Sequence, residues 1–174
     1  MTLQKNQECH LKIIDISYDG LGIGKIDGIV VFVPNAVVGD ELIVKILKVS
    51  KSCVYAKISS IISSSSNRIK PKCSVAYKCG GCSLQNMSYS AECDFKYKRV
   101  KDCMERIGKI SCPVSSIVEA EQIYHYRNKA QYPIGWQNEE NVAGFYAPRS
   151  HRVVPSEDCK LQPHIFSEIL KAFL

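Results

Sequence analysis

Three thiols fall within ten residues in Cys73-Ser-Val-Ala-Tyr-Lys-Cys79-Gly-Gly-Cys82, and this stretch constrains the chain more than any other. Sulfurs that converge on one point are what a zinc ion or a multi-iron cluster needs, and short loops can bring them together. Cys159, far downstream, is the candidate fourth sulfur. Gly80 and Gly81 place no Cβ in the way, so the backbone there can wrap closely and offer N–H groups to a bound group. Lys72 and Lys78 flank the loop, and their charge is expected to favour the thiolate form. The competing reading is a disulfide or two among ordinary buried cysteines. The nine cysteines are an odd number, which resists complete internal pairing. The first residues carry no apolar run of a signal peptide, so a cytoplasmic, reducing location is expected, where clustered cysteines more often bind metal.

The rest of the chain reads in two parts. Residues 1–62 show short alternating or β-branched runs separated by glycine, as in Ile29-Val-Val-Phe-Val-Pro and Glu41-Leu-Ile-Val-Lys-Ile-Leu-Lys-Val. Four to five short strands with glycine corners in so short a span predict a small closed barrel of the oligonucleotide-binding class. Gly20, Gly22 and Gly24 read as turn or bulge glycines. They do not make a dinucleotide fingerprint, because a further strand follows them where a helix is needed. Phe32 is expected in the core, whereas Tyr18 and Tyr55 are candidates for stacking on bases. Ser63-Ser-Ser-Ser-Asn reads as a linker, and Arg68-Ile-Lys-Pro-Lys as a basic, solvated approach to the cysteines.

Beyond the cysteine loop, Ser88 is placed to cap a helix over 89–107, with Cys93, Tyr97, Val100, Met104 and Ile107 as its apolar stripe and Gly108 as its end. Extended segments are expected at 114–118, 126–136, 142–146 and 150–154, with a turn at 138–141. A second helix begins near Pro163. It leaves the chain ending on apolar residues, which suggests that the natural protein continues. The net charge of +6 lies mostly after residue 62 and is compatible with a polyanion partner without requiring one.

In order, the chain carries Cys-x5-Cys-Gly-Gly-Cys-Ser-Leu-Gln, a basic helix, Tyr126-Arg127-Asn128-Lys129, Gly144-Phe145-Tyr146, Ser150-His151 and Cys159-Lys-Leu-Gln. This order resembles the RNA (uracil-5-)-methyltransferases, and the first sixty residues resemble their RNA-binding TRAM domain. The resemblance implies a mainly β fold with α: an OB-like TRAM β-barrel over 1–62, a basic linker over 63–72, and a small α+β iron–sulfur central domain over 73–174. It implies a 4Fe–4S cluster held by Cys73, Cys79, Cys82 and Cys159, and RNA contacts from Arg127 and Lys129 on a strand. Arg149, His151, Tyr18 and Lys25 are further RNA-binding candidates.

The parent enzyme would move a methyl group from S-adenosylmethionine to C5 of a uracil in 23S rRNA, acting as a monomer. A cysteine thiolate would attack C6 of the flipped-out base. No βαβ unit with a glycine-rich turn for the methyl donor occurs here, and no catalytic residue is assigned. This stretch alone is therefore expected to be inactive. Cys9, Cys53, Cys93, Cys103 and Cys112 lie outside the motif. For Arg127, the structural alternative is an ion pair with Glu119 or Glu121. The alternative for the whole chain is a stand-alone RNA-binding module holding structural zinc or a redox-labile cluster.

Overall fold

A computed structural model describes residues 3–174. The chain divides into two compact units. One takes residues up to Lys70 together with Asn86–Val118; the other takes Pro71–Gln85 and Glu119–Leu174. The cysteine loop is thus an excursion that leaves the first unit after Lys70 and returns to it at Asn86, a division that differs from the linear one expected from sequence. No described helix is long and apolar enough to cross a membrane.

The first unit is built on six strands: β1 (Glu8–Lys12), β2 (Asp15–Ile16), β3 (Gly22–Ile26), β4 (Ile29–Val33), β5 (Glu41–Val49) and β6 (Cys53–Ser63). They order as β1-β5-β6-β4-β3-β2, with only β4 and β6 parallel. The two outermost strands follow each other in sequence across Ile13 and Ile14, so the sheet curls back on itself. Alternation along the strands sends Leu11, Val31, Val33, Leu42, Val44, Ile46, Val54 and Ala56 into one core. Each Leu, Ile or Val among them contributes about 1.5–3 kcal/mol when fully buried.

The glycines of β3 serve this closure. A Cβ on Gly24 would lie 2.6 Å from Leu11 Cδ1 and from the Lys12 carbonyl oxygen, and one on Gly22 would lie 2.7 Å from Ala36 Cβ. Of the three glycines, Gly20, at φ 85°, acts as a turn glycine. Gly22 and Gly24, read from sequence as turn or bulge residues, are instead places where β3 passes close over its neighbours.

Phe32 also departs from expectation. Its neighbours Val31 and Val33 are fully buried, so Phe32 points to the outside of the barrel and packs on Tyr55 at a centroid separation of 5.5 Å. Strand alternation and register decided this, against the general tendency of phenylalanine to be buried.

The serine–basic stretch after β6 is largely exposed, as expected, but it is anchored at Ser65 and Arg68. Asp40 is fully buried. It accepts hydrogen bonds from the Val37 N–H at 2.7 Å, the Ser65 N–H at 3.0 Å, and Arg68 Nε and Nη2 at 2.9 and 2.5 Å. Arg68 Nη2 also donates to the Asn35 carbonyl at 2.8 Å. A buried carboxylate needs a cation, and Arg68 is drawn inward to supply one. Next to this pair the chain leaves and returns. Ile69 N–H donates to Asn86 O, Ser88 N–H to Asn67 O, and Arg68 faces Met87 in an antiparallel bridge.

Helix α1 (Tyr89–Asp102) starts where expected, with Ser88 Oγ accepting from the Ala91 N–H at 3.3 Å. The helical segment runs to Ile107 and stops at Gly108 as expected, but its last turn is not α-helical. A π-helical turn over Cys103–Ile107 follows, closed by Gly108 N–H on Cys103 O. Of the apolar stripe only Cys93 is buried, while Val100 and Ile107 are exposed.

The second unit carries β7 (Ile134–Gln137), β8 (Glu140–Tyr146) and β9 (Val153–Pro155) in one antiparallel sheet, then helix α2 (His164–Phe173). Asn138 and Glu139 both have positive φ, giving the two-residue turn whose twist suits a hairpin. Gly144 is required, because a Cβ there would lie 1.8 Å from Val154 O. Residues 114–118 and 126–133 form no strand. The expected strand over 126–136 is confined to its last three residues, and the one at 150–154 begins only at Val153.

Burial would raise the pKa of Asp40, but the Arg68 hydrogen bonds, the Ser65 and Val37 N–H groups and the Arg68 charge outweigh it, so the carboxyl lies below its ordinary 3.8. The stability this contributes is fully present above that value and drains as pH falls beneath it. Arg68→Met is expected to cost about 3–5 kcal/mol by chemical denaturation, with Asp40→Leu/Arg68→Met regaining much of the loss. A single-variant loss under about 1 kcal/mol would show that the pair is not what closes this end of the barrel.

Candidate functional site

The second unit contains all four cysteines of the motif. Cys73 to Cys79 wind through one tight turn, with Ala76 N–H on Cys73 O and both Lys78 and Cys79 N–H groups on Val75 O. Gly80 N–H then donates to Tyr146 O at 2.9 Å. A Cβ on Gly80 would lie 2.8 Å from that same oxygen and 3.2 Å from Pro148 N, so the loop seats against the end of β8 as only glycine allows. Gly81 N–H points back at Cys79 Sγ, 3.3 Å away.

Cys159 lies on the segment between β9 and α2. His125 N–H donates to Lys160 O and Arg127 N–H to Leu161 O, so residues 125–127 run beside 160–162. Gln162 N–H closes a turn onto Cys159 O, and Tyr132 Oη donates to Gln162 Oε1. Lys160 and Asp158 form an ion pair on either side of Cys159.

All four cysteines are half-buried and carry no disulfide. Burial is the main cause that raises the Cys79 thiol above its ordinary value of 9.0; the Gly81 N–H opposes it, and the charges of Cys73 and Cys159 add to it. Cys82 is raised by burial, eased by a hydrogen bond with Gln85, and raised further by Cys79, Cys159 and Cys73. The four sulfurs therefore sit within electrostatic reach of one another. Tyr132 is raised too, by burial first and then by Cys159.

The expectation that Lys72 and Lys78 hold the thiols ionised fails for these two cysteines. Lys72 Nζ sits 4.4 Å over the Tyr124 ring, and burial together with neighbouring sulfurs dominates. Among the described residues no three Cys, His, Asp or Glu side chains are drawn into a ready coordination geometry. Four apposed thiols repel as they ionise, and a bound cation reverses that balance by favouring every thiolate at once. The donor set is all sulfur, Gly81 puts no Cβ beside Cys79 Sγ, and Gln85 Oε1 is buried without a partner. These residues fit a group that takes four thiolates, which means zinc or an iron–sulfur cluster.

The other candidates are more dispersed. Arg127 and Lys129 are exposed, on irregular chain and not on the expected strand. No ion pair of Arg127 with Glu119 or Glu121 occurs among the described residues. His151 packs edge-on against Tyr146 at 5.3 Å, and it shares with Arg149 the turn that follows β8, next to the seat of Gly80. In the first unit, Lys25 lies exposed on the outer side of β3. Tyr18 is 79% exposed and has Arg99 of α1 4.9 Å over its ring. In the sequence Arg99 reads as part of a solvated helix face, and nothing local marks it.

Residues 3–58 match the TRAM domain family model. An uncharacterized RNA methyltransferase of Listeria monocytogenes is 43% identical over 157 residues, which is 90% of this chain and 35% of that protein. One from Clostridium tetani is 41% identical over 169 residues, covering 97% and 37%. The chain thus spans about a third of the length of these curated relatives. The crystal structure of the Pyrococcus abyssi tRNA (uracil-54, C5)-methyltransferase with S-adenosyl-L-homocysteine superposes with a TM-score of 0.60 at 23% identity, over 94% of this chain and 35% of that one. At that identity the likeness is one of fold.

The raised thiols set a measurable reactivity. In metal-free protein, iodoacetamide alkylation of Cys79 and Cys82, followed by peptide mass spectrometry, is expected to reach half its limiting rate above pH 9.0, because the thiolate is the nucleophile. Fast modification at neutral pH would contradict the burial and mutual repulsion described.

Proposed function

We propose that this chain is the RNA-recognition and cluster-holding part of an RNA (uracil-5-)-methyltransferase. The observation that carries the reading is the mutual reach of Cys73, Cys79, Cys82 and Cys159 in a chain whose relatives are named RNA methyltransferases. The TRAM match supports RNA as the partner. The parent enzyme would use S-adenosylmethionine and methylate C5 of a uracil in 23S rRNA. The ribosomal substrate rests on the family resemblance of the four-cysteine pattern, whereas the Pyrococcus abyssi protein of similar fold is a tRNA methyltransferase.

The four thiolates would hold a 4Fe–4S cluster that ties Cys159 to the loop 73–82. Its contribution is structural cohesion, and methyl transfer does not pass through it. Gly80 and Gly81 let the loop close, and Gln85 orients at Cys82. Arg149 and His151, in the turn following β8, would face RNA, as would Arg127 and Lys129. In the first unit, Tyr18 would stack on a base and Lys25 would contact a phosphate. No residue of this stretch is assigned a catalytic role, so the stretch by itself would not methylate RNA.

Anaerobic purification with metal analysis and a visible spectrum tests the cluster. About four irons per chain with broad absorption in the visible is the expected result. One zinc per chain without colour would replace the cluster by a structural zinc site, and free thiols with no metal would remove both. Binding of a 23S rRNA fragment in preference to a tRNA transcript, at matched salt, tests the substrate; equal or reversed preference rejects the ribosomal assignment.

A further inference from the structure

The outer face of the barrel carries an aromatic pair that the core does not use. Phe32 of β4 and Tyr55 of β6 are cross-strand partners in the parallel pairing of those strands, with ring centroids 5.5 Å apart and planes inclined by 27°. Their chain neighbours Val31, Val33, Val54 and Ala56 are at most 1% exposed and line the core. Neither ring belongs to that core or packs against it. Both rings are half-buried on the sheet surface.

The register fixes what surrounds the pair. Tyr55 faces Lys48 across the β5–β6 ladder, and Phe32 faces Ile23 across β3–β4. One step along, Lys25 faces Val30, and on the other side Lys57 faces Lys45. Lys25, Lys45, Lys48 and Lys57 therefore border the two rings on the same outer face; of the acidic residues there, Glu8 faces Lys45, and Asp15, which faces Ile23 beside Phe32, is held in an ion pair with Lys98. Like charges placed directly opposite each other, as at Lys45 and Lys57, disfavour the sheet, and Glu8 on the other side of Lys45 offsets part of this. Flat rings flanked by cations are the recognition chemistry of single-stranded nucleic acid, with bases stacked on the rings and phosphates on the lysines.

We propose that Phe32 and Tyr55 form a stacking platform for one or two unpaired RNA bases, with Lys25 and Lys48 as its phosphate contacts. This rests on the reading of the chain as an RNA-binding part, and it locates the contact on the barrel's outer face. The side chains act by stacking and charge, so recognition there tolerates sequence, and specificity must come from elsewhere in the molecule.

The test is fluorescence anisotropy of the intact chain with a labelled oligouridylate of about 12 nucleotides, a length within the span of one such barrel. Phe32→Leu keeps apolar bulk and removes the ring; it is expected to weaken binding about tenfold, with Phe32→Tyr restoring it. The salt dependence should be unchanged in those variants. Lys25→Gln and Lys48→Gln should each reduce the slope of log affinity against log salt by about 0.7. Photocrosslinking of 4-thiouridine-substituted RNA to the unaltered chain checks the location without any variant: crosslinks are expected at Phe32 or Tyr55. If the chain binds RNA but Phe32→Leu and Tyr55→Leu bind within about twofold of it and crosslinks fall elsewhere, the platform is wrong and the RNA reading survives. If the unaltered chain does not bind the RNA at all, both fail.

Discussion

The buried pair of Asp40 and Arg68 is the interaction on which the first unit depends. Asp40 ties the β4–β5 connection through Val37, the start of the exit segment through Ser65, and Arg68 through a two-pronged contact. Arg68 in turn satisfies Asn35, and the residues beside it pair with the segment that returns the chain to this unit. One carboxylate therefore fixes where the barrel ends and where the cysteine excursion begins and closes. Removing either partner alone leaves a charge buried without its counter-charge, whereas removing both leaves only a packing problem.

The second unit is poor in apolar core by comparison. Its three-stranded sheet buries Ala143, Val153 and Val154, and α2 buries Leu170. Much of its remaining organisation is polar or steric: the Tyr132–Gln162 contact, the strip of backbone bonds from 125–127 to 160–162, and the tight seat of Gly80 on Tyr146. Small units with thin cores are commonly held by a covalent or metal staple. Four sulfurs within reach of one another, with Cys79 and Cys82 raised in pKa by burial and by the neighbouring sulfurs, are what such a staple would draw together, and this is why the proposed cluster is given a structural part.

Several features were legible in the sequence because they depend on near neighbours. Alternating β-branched runs marked the strands of the barrel, Ser88 marked the start of α1, and the Asn138 turn marked the hairpin of β7 and β8. The spacing of Cys73, Cys79 and Cys82 around two glycines announced the loop. What misled was context. A serine-rich tract followed by basic residues has the composition of a linker, yet Ser65 and Arg68 are committed to Asp40. Tyr126 to Trp136 alternates like a strand, yet only its end finds a partner strand. The stripe of α1 has helical spacing, yet little of it meets a partner, since spacing reports a face and says nothing of what covers it.

By itself, then, the sequence determined the small closed barrel, the cysteine motif and the family resemblance that pointed to Cys159, because periodicity, turn chemistry and motif spacing act locally or survive as pattern. Tertiary structure alone decided which side of the barrel Phe32 faces, why β3 needs Gly22 and Gly24, that Arg68 goes inside, and that Arg99 meets the ring of Tyr18. Each of these depends on strand register or on partners distant in the chain. A one-residue shift in register reverses every side chain between core and solvent, and a buried charge selects its partner by position in space and not by position in sequence.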